Sequence, residues 1–213
     1  MWNLAYIASV SFVMALSGAM MPGPLMAVTV AESARRGPWA GPALMVGHAA
    51  LELGLLLALM LGMKPLLERE ATFAVIAVVG AGALLWMAAG MLRSLPRLSL
   101  LTDASGGGGA KLALRGVALS LVNPYWSLWW ATIGLSCVGK FCRDGWVGIG
   151  VFYVGHIAGD LAWYAAISAA VAKGRRLLSD RLYRWLVGAC AVFLAGFGLY
   201  FLGSGVSGLR GLF

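Results

Sequence analysis

Two matching segments lie inside apolar stretches of the sequence: Gly47-His48-Ala49-Ala50-Leu51-Glu52 and, 108 residues later, Gly155-His156-Ile157-Ala158-Gly159-Asp160. They contain both histidines of the chain. A four-residue spacing places each histidine and its acid on one face of a helix. An ionisable side chain at the centre of a membrane helix costs about 2.5–3.5 kcal/mol, so four of them predict a polar cavity. We therefore expect a transport pathway at these segments.

The composition predicts an integral membrane protein that forms a single transmembrane domain over residues 1–213. The chain is 61% hydrophobic and only 11% charged, against about 25% charged in an average soluble domain. The net charge of +8 lies in short connections between apolar runs, which indicates membrane orientation rather than nucleic-acid binding. The lipid bilayer is the expected partner, and the apolar N-terminal run is expected to be retained because it has no basic region before it.

The apolar runs predict six transmembrane helices in an all-α fold. Between the third and fourth runs lie residues 93–111, whose glycine run is typical of a flexible linker. This linker divides the chain into half-repeats 1–92 and 112–213. The six predicted spans are residues 2–34, 40–63, 71–92, 112–138, 146–172 and 184–204.

Basic residues predict the orientation of these spans. Eleven lysines and arginines fall in the first, third and fifth connections, and five fall on the opposite side. The positive-inside rule then places the linker in the cytoplasm and both termini outside. Since each half has three spans, the second half starts from the opposite face, and the halves form two inverted three-helix repeats.

Prolines interrupt the first and fourth spans. Residues 2–34 would form a helix of about 50 Å, longer than the 30 Å hydrocarbon core, and Pro22-Gly23-Pro24 interrupts it. Asn123-Pro124 interrupts the fourth span. Each break is explained either by a simple kink or by a discontinuous helix whose second half directs free N–H groups and a positive dipole end into a cavity.

Several alternatives stay open for the polar residues. In one interpretation each histidine only donates a hydrogen bond to the acid four residues later. In the other, His48 and His156 tune proton exchange by the two acids, since histidine titrates near neutral pH. Together the four side chains would also supply ligands for a divalent metal, which predicts a metal exporter or an intramembrane metallohydrolase.

The cysteines Cys137 and Cys142 lie close in sequence, but a structural disulfide is not favoured. For Trp126, Trp129 and Trp130 the sequence favours helix packing over a role in a pore.

The sequence resembles the LysE/RhtB family of bacterial amino-acid exporters over essentially its whole length. Pro22-Gly23-Pro24 looks like the first-span motif of that family, and Asn123-Pro124 is similar to its fourth-span motif. Further similarities are Gly37, Gly41, Glu52, Gly62, the segment Gly82 to Gly90, and Asp160 with Trp163-Tyr164. The chain departs from the pattern at Leu25, where the family commonly has asparagine, and at both histidines.

The resemblance implies a multi-pass protein of the bacterial cytoplasmic membrane that exports a small amino acid or related zwitterion, driven by protons, with no enzymatic activity and no cofactor. The half-helix beyond Pro24 suits the substrate carboxylate. Glu52 and Asp160 suit its ammonium group or carry the coupling proton. The expected site thus comprises Pro22, Gly23, Pro24, Glu52, Asn123, Pro124 and Asp160, with His48 and His156 as tuning residues or metal ligands. A homodimer packed through small-residue faces is a further possibility.

Overall fold

The computed structural model describes residues 3–21, 23–63, 70–98, 108–174 and 179–210. All regular secondary structure within these ranges is helical, which confirms the all-α class. Two regions named above lie outside the described residues, namely Pro22 and positions 99–107 of the linker.

The helices follow one another with short connections. In chain order they are α1 (Leu4–Ala19), α2 (Pro24–Arg36), α3 (Ala40–Ala58), α4 (Glu70–Ser94), α5 (Gly109–Leu121), α6 (Pro124–Trp129), α7 (Leu135–Phe141), α8 (Gly145–Gly174) and α9 (Asp180–Arg210). Single π-helical turns cover Leu59–Met63 and Trp130–Gly134, and 3-10 turns cover Leu95–Arg97 and Cys142–Asp144.

Both proline segments separate helices. The first predicted span is two helices, α1 and α2, whose axes differ in direction by 82°. The fourth predicted span is also divided, because α5 ends at Leu121 and α6 begins at Pro124. Gly37 then turns the chain from α2 into α3 with a φ of 92°, a backbone conformation that favours glycine.

Within the described ranges, three helices are long and apolar enough to cross a bilayer: Ala40–Gly62, Ala74–Arg97 and Asp180–Arg210. The bent pair α1 and α2 makes a fourth if the two helices together form one span. The 30-residue α8 is long enough, but His156 and Asp160 lower its mean hydropathy. The α5–α7 region is interrupted, so no single helix there has the required length.

Helices from the two halves of the sequence pack against each other in pairs: α1 with α8, α3 with α5, and α4 with α9. Glycines allow these pairs to approach closely. A side chain at Gly47 would collide with the backbone of α5 at Ala113. One at Gly155 would meet the carbonyl of Ala8 on α1 at 2.6 Å. The glycine of each Gly-His-x-x-x-acid motif therefore allows its helix to pack closely against a helix of the other half.

Two glycines of α9 bring it close to α4. A side chain at Gly198 would meet Leu85 at 3.0 Å, and one at Gly205 would meet Val78 at 2.7 Å. At four other glycines of these helices a Cβ would meet no atom of another described element within 4 Å, namely Gly82, Gly90, Gly196 and Gly203.

The end of α2 is joined to α5 by ionic contacts. Glu32 is buried at 5% exposure and accepts a hydrogen bond from Arg115 at 2.6 Å. It also pairs with Arg36 one helical turn further along α2. The three cysteines, Cys137, Cys142 and Cys190, are free thiols.

Candidate functional site

The break between α1 and α2 exposes the beginning of a helix to the interior. Gly23 provides no side-chain cap, and Pro24 has no N–H to donate. The first intrahelical hydrogen bond runs from the Ala27 N–H to the Gly23 carbonyl at 3.0 Å. The N–H groups of Leu25 and Met26 precede that bond, and they lie at the positive end of the helix dipole.

The second break contacts the first. The Asn123 side-chain oxygen caps α6 by accepting a hydrogen bond from the Tyr125 N–H at 3.1 Å. Its amide nitrogen lies beside Gly23, where a Cβ would be 3.5 Å away. Gly23 and Asn123 line one cavity, so the two interrupted spans meet at their interruptions.

The two histidine–acid pairs come together next to these breaks in one buried group, which we call the His–acid cluster: His48, Glu52, His156 and Asp160. His48 Nε2 lies 3.1 Å from Glu52 Oε1 and 3.5 Å from Asp160 Oδ2. His156 Nε2 lies 3.2 Å from Glu52 Oε2 and 3.3 Å from Asp160 Oδ2. Each histidine thus contacts the acid of the other half as well as its own, and all four side chains are at most 7% exposed.

Two tryptophans of the fourth predicted span hold Glu52 in place. The indole N–H groups of Trp126 and Trp130 each donate to Glu52 Oε1 at 2.9 Å. An indole nitrogen can only donate, so this oxygen accepts both bonds. Both tryptophans also pack in the apolar core, as the sequence favoured, with Trp130 only 1% exposed, and the hydrogen bonds to Glu52 are an additional contact.

The two histidines have different surroundings. His48 Nδ1 lies 2.7 Å from the hydroxyl of Ser120 on α5. His156 instead lies among aromatic rings, 4.8 Å from Trp129 and 5.7 Å from Trp130 between ring centres. Its Nδ1 has no hydrogen-bond partner among the described residues.

The cavity at the cluster is small and is lined by both carboxylates. Its volume is about 50 Å³, room for a few water molecules. Glu52 Oε2 and Asp160 Oδ2 are both buried beside the same nitrogen, His156 Nε2, at 3.2 and 3.3 Å. The cavity is lined by Ala15, Gly18, Ala19, Met21, Gly23, Leu25, His48, Glu52, Ser120, Asn123, Tyr125, Trp126, Trp129, His156, Asp160 and Tyr164.

Most of the sequence-predicted site residues meet at this cavity, and the structure adds others. Pro24 and Pro124 each stand at the first position of a helix, α2 and α6. Ser120, Trp126 and Trp130 complete the site and were not identified from the sequence. In the sequence, Ser120 is distinguished only by its position one helical turn after Gly116. That glycine allows α5 to pack closely against α3.

A metal ion is one of the species that such a group of side chains can bind. One ligand atom from each of His48, Glu52 and Asp160 lies within 4.8 Å of the others. Imidazole nitrogen and carboxylate oxygen suit zinc and related divalent ions. The cluster can therefore bind a compact cation, whether a proton, an ammonium group or a metal.

Comparison with known proteins identifies the family of this chain. No curated protein matches it, and no solved structure matches it either. The model of the family described as LysE type translocator matches residues 16–205, which include both breaks and the whole His–acid cluster. Apolar helices and membership of a translocator family indicate a multi-pass membrane protein that takes part in transport. The chain belongs to the LysE type translocator family.

Proposed function

We propose that this protein is a secondary transporter that exports a small amino acid or related zwitterion and is coupled to protons. The observation that carries the proposal is the His–acid cluster. Two motifs far apart in the sequence bring two carboxylates and two imidazoles into one buried cavity beside two helix breaks. Buried ionisable groups of this kind in a membrane protein mark substrate and proton pathways.

The proposed architecture is six spans in two inverted repeats, with the interrupted helices in equivalent positions. Helix pairing supports it: exchanging the halves converts the contact of α1 with α8 into the contact of α5 with α3. Exposure of the two motif helices agrees with this relation. Val46 and Val154, each one residue before the motif glycine, are 64% and 66% exposed.

Each end of a zwitterion has a suitable partner in the cavity. The N–H groups that begin α2 and the amide nitrogen of Asn123 suit the carboxylate. Glu52 and Asp160 suit the ammonium group, and they also offer oxygens to which a proton can bind. A cavity of about 50 Å³ is too small for a whole amino acid, so transport requires the surrounding helices to move apart.

A flux measurement in proteoliposomes tests this function. Proteoliposomes that contain the wild-type protein are loaded with each amino acid of a panel. The flux of that amino acid across the membrane is measured with and without a pH gradient. We expect a small amino acid to be transported faster with the gradient, and Glu52→Gln or Asp160→Asn to abolish that gradient-driven flux. An amide keeps the shape and hydrogen bonding of the acid but removes its charge.

The matched control for these amides is Asp144→Asn, on the 3-10 turn before α8, because Asp144 does not line the cavity. We expect it to transport at the wild-type rate. Wild-type coupled flux in both Glu52→Gln and Asp160→Asn would reduce the two acids to structural hydrogen-bond partners.

A divalent metal exporter is the second candidate, and it is supported by the ligand atoms of His48, Glu52 and Asp160 within 4.8 Å of one another. The same proteoliposomes distinguish it when the amino acids are replaced by Zn²⁺ and Mn²⁺. Metal flux without amino-acid flux would favour this candidate. Transport of an amino acid without transport of Zn²⁺ or Mn²⁺ would exclude the metal exporter.

We further propose that the protein lies in the bacterial cytoplasmic membrane with both termini outside, as the distribution of basic residues favours. A single cysteine replacing Ser105, in a background without the three native cysteines, tests the orientation. We expect an impermeant thiol reagent to label it in inverted vesicles and not in intact cells. Labelling in intact cells would reverse the topology.

A further inference from the structure

A second cavity, which we call the side cavity, lies next to the cavity at the His–acid cluster. Its volume is about 450 Å³, against about 50 Å³ at the cluster. Trp126 lines both cavities, so its side chain forms part of the wall between them. The larger space of the molecule thus begins where the polar site ends.

The side cavity has an apolar lining, with no charged side chain among the described residues that line it. Leu55 and Ile76 are among its aliphatic side chains. The indole N–H groups of its two tryptophans, Trp126 and Trp130, are already bonded to Glu52. An unpaired charge is strongly disfavoured in such surroundings, whereas an aliphatic group gains by leaving water. The side cavity therefore favours an uncharged aliphatic group.

The side cavity supplies the space that the cavity at the cluster lacks. Small-molecule sites commonly have volumes of about 300–1,000 Å³, a range that includes the side cavity but not the cavity at the cluster. Gly54 adds to this space, since a Cβ at that position would meet no atom of another described element within 4 Å. A zwitterion at the cluster can therefore extend its side chain past Trp126.

We propose that the side cavity binds the apolar side chain of the transported amino acid, and that Trp126 is the specificity-determining residue between the side cavity and the His–acid cluster. The Trp126 N–H donates to Glu52 Oε1 at 2.9 Å, and the ring moves aside when this hydrogen bond breaks. The inference rests on the proposed function. Among the zwitterions of that function, it selects those with an uncharged aliphatic side chain such as that of leucine.

The segment that carries Trp126 is short and is bounded by irregular backbone. The helix α6 has only six residues, Pro124–Trp129, and it follows the interruption at Asn123. A π-helical turn, Trp130–Gly134, comes directly after it, and such turns occur often at functional sites. Trp126 can therefore change position without the unwinding of a long helix.

Transport kinetics in proteoliposomes that contain the full-length protein test the proposal. Initial flux is measured for alanine, leucine and lysine over a range of concentrations. We expect the KM for leucine to be about tenfold lower than that for alanine, because only leucine reaches into the side cavity. Lysine should show no saturable flux. Equal KM values for alanine and leucine, or saturable transport of lysine, would overturn the proposal.

A variant that fills the side cavity tests its role directly. Gly54→Leu should raise the KM for leucine about tenfold and the KM for alanine far less. Gly82→Leu is the matched control, because a Cβ there also has open space and Gly82 lines neither cavity. It should transport both amino acids like the wild type. An unchanged KM for leucine in Gly54→Leu would mean that the side cavity holds a lipid acyl chain instead, and an equal rise for both amino acids would mean that it does not distinguish side chains. Either result overturns the proposal.

Trp126→Phe tests the residue between the two cavities. Phenylalanine keeps an aromatic ring but cannot donate to Glu52, so the ring moves aside more readily. We expect the KM for leucine to fall about threefold and that for alanine to change less, because only leucine requires the two cavities to be joined. A KM for leucine that stays the same or rises would remove this role from Trp126.

Equilibrium binding provides a measurement that does not depend on transport. The thermal unfolding midpoint should rise more with leucine than with alanine in the wild type, and Gly54→Leu should lose most of this difference. Leucine binding that Gly54→Leu weakens, in a protein that transports no amino acid, would support the side cavity and refute the proposed function. Proton-coupled flux of alanine with no preference for leucine would support the proposed function and refute the side cavity.

Discussion

The two histidine–acid pairs have the same sequence pattern but different chemical surroundings. His48 is held by the Ser120 hydroxyl, and its acid Glu52 accepts two indole hydrogen bonds. His156 is surrounded by aromatic rings, and Asp160 Oδ2 is contacted by the two histidines rather than by indole groups. The repeat therefore preserves the position of the polar groups, while the neighbouring helices determine what each group does.

The largest expected effect tests what the two pairs share. Gly47→Val and Gly155→Val would each drive a side chain into the backbone of the facing helix, at Ala113 or Ala8. We expect either change to cost about 3 kcal/mol or more and to abolish monodisperse protein in detergent. The measurement is size-exclusion chromatography after mild extraction.

Gly54→Val is the control for these two variants, because a Cβ at Gly54 has open space around it. It should elute like the wild type. A well-behaved Gly155→Val with a disrupted Gly47→Val would show that only the first motif depends on close packing.

The next effect separates the two acids. Glu52→Leu leaves the indole N–H groups of Trp126 and Trp130 without their acceptor, at about 1–3 kcal/mol each. Asp160→Leu removes contacts to two histidine nitrogens, at 3.3 and 3.5 Å, and each of these nitrogens keeps Glu52 as a partner. We therefore expect Glu52→Leu to lower the thermal unfolding midpoint clearly more than Asp160→Leu. Equal losses would mean that the tryptophan hydrogen bonds contribute nothing to stability.

The smallest effect separates the two histidines. Glutamine keeps a hydrogen-bonding side chain but cannot titrate, so His48→Gln should retain gradient-driven flux and change its pH dependence. For His156→Gln we expect a smaller change, since its Nδ1 is not engaged. The measurement is initial flux between pH 5 and 9. Identical profiles for both variants would make the two histidines equivalent despite their surroundings.

The sequence predicted the helical class, the breaks and the residues of the cluster because these depend on strong local signals. Proline cannot continue a helix, and ionisable residues in an apolar run require polar neighbours. Ser120, Trp126 and Trp130 were not predicted as site residues. Serine and tryptophan occur for many reasons in membrane helices, and only the three-dimensional approach of α5 and α6 to α3 gives them partners.

The six spans expected from the sequence are not all recognisable as single apolar helices in the structure. In the described chain, three helices have the length and hydropathy required of a span, and the bent pair α1 and α2 makes a fourth if it is counted as one span. The residues that build the cavity also weaken the hydropathy of α8 and interrupt the region from α5 to α7. The polar residues and helix breaks that form the cavity therefore make the same segments harder to recognise as membrane spans.

The close approach of α1 and α8 also has a consequence for how the protein is made. Translation produces α1 first and α8 almost last, so α1 enters the membrane without the helix whose Gly155 packs against it. The same holds for α3, which precedes α5. Insertion of individual helices must therefore come before their tightest association, and a ribosome that stalls between the halves would release a chain whose α1 and α3 lack the helices against which they pack.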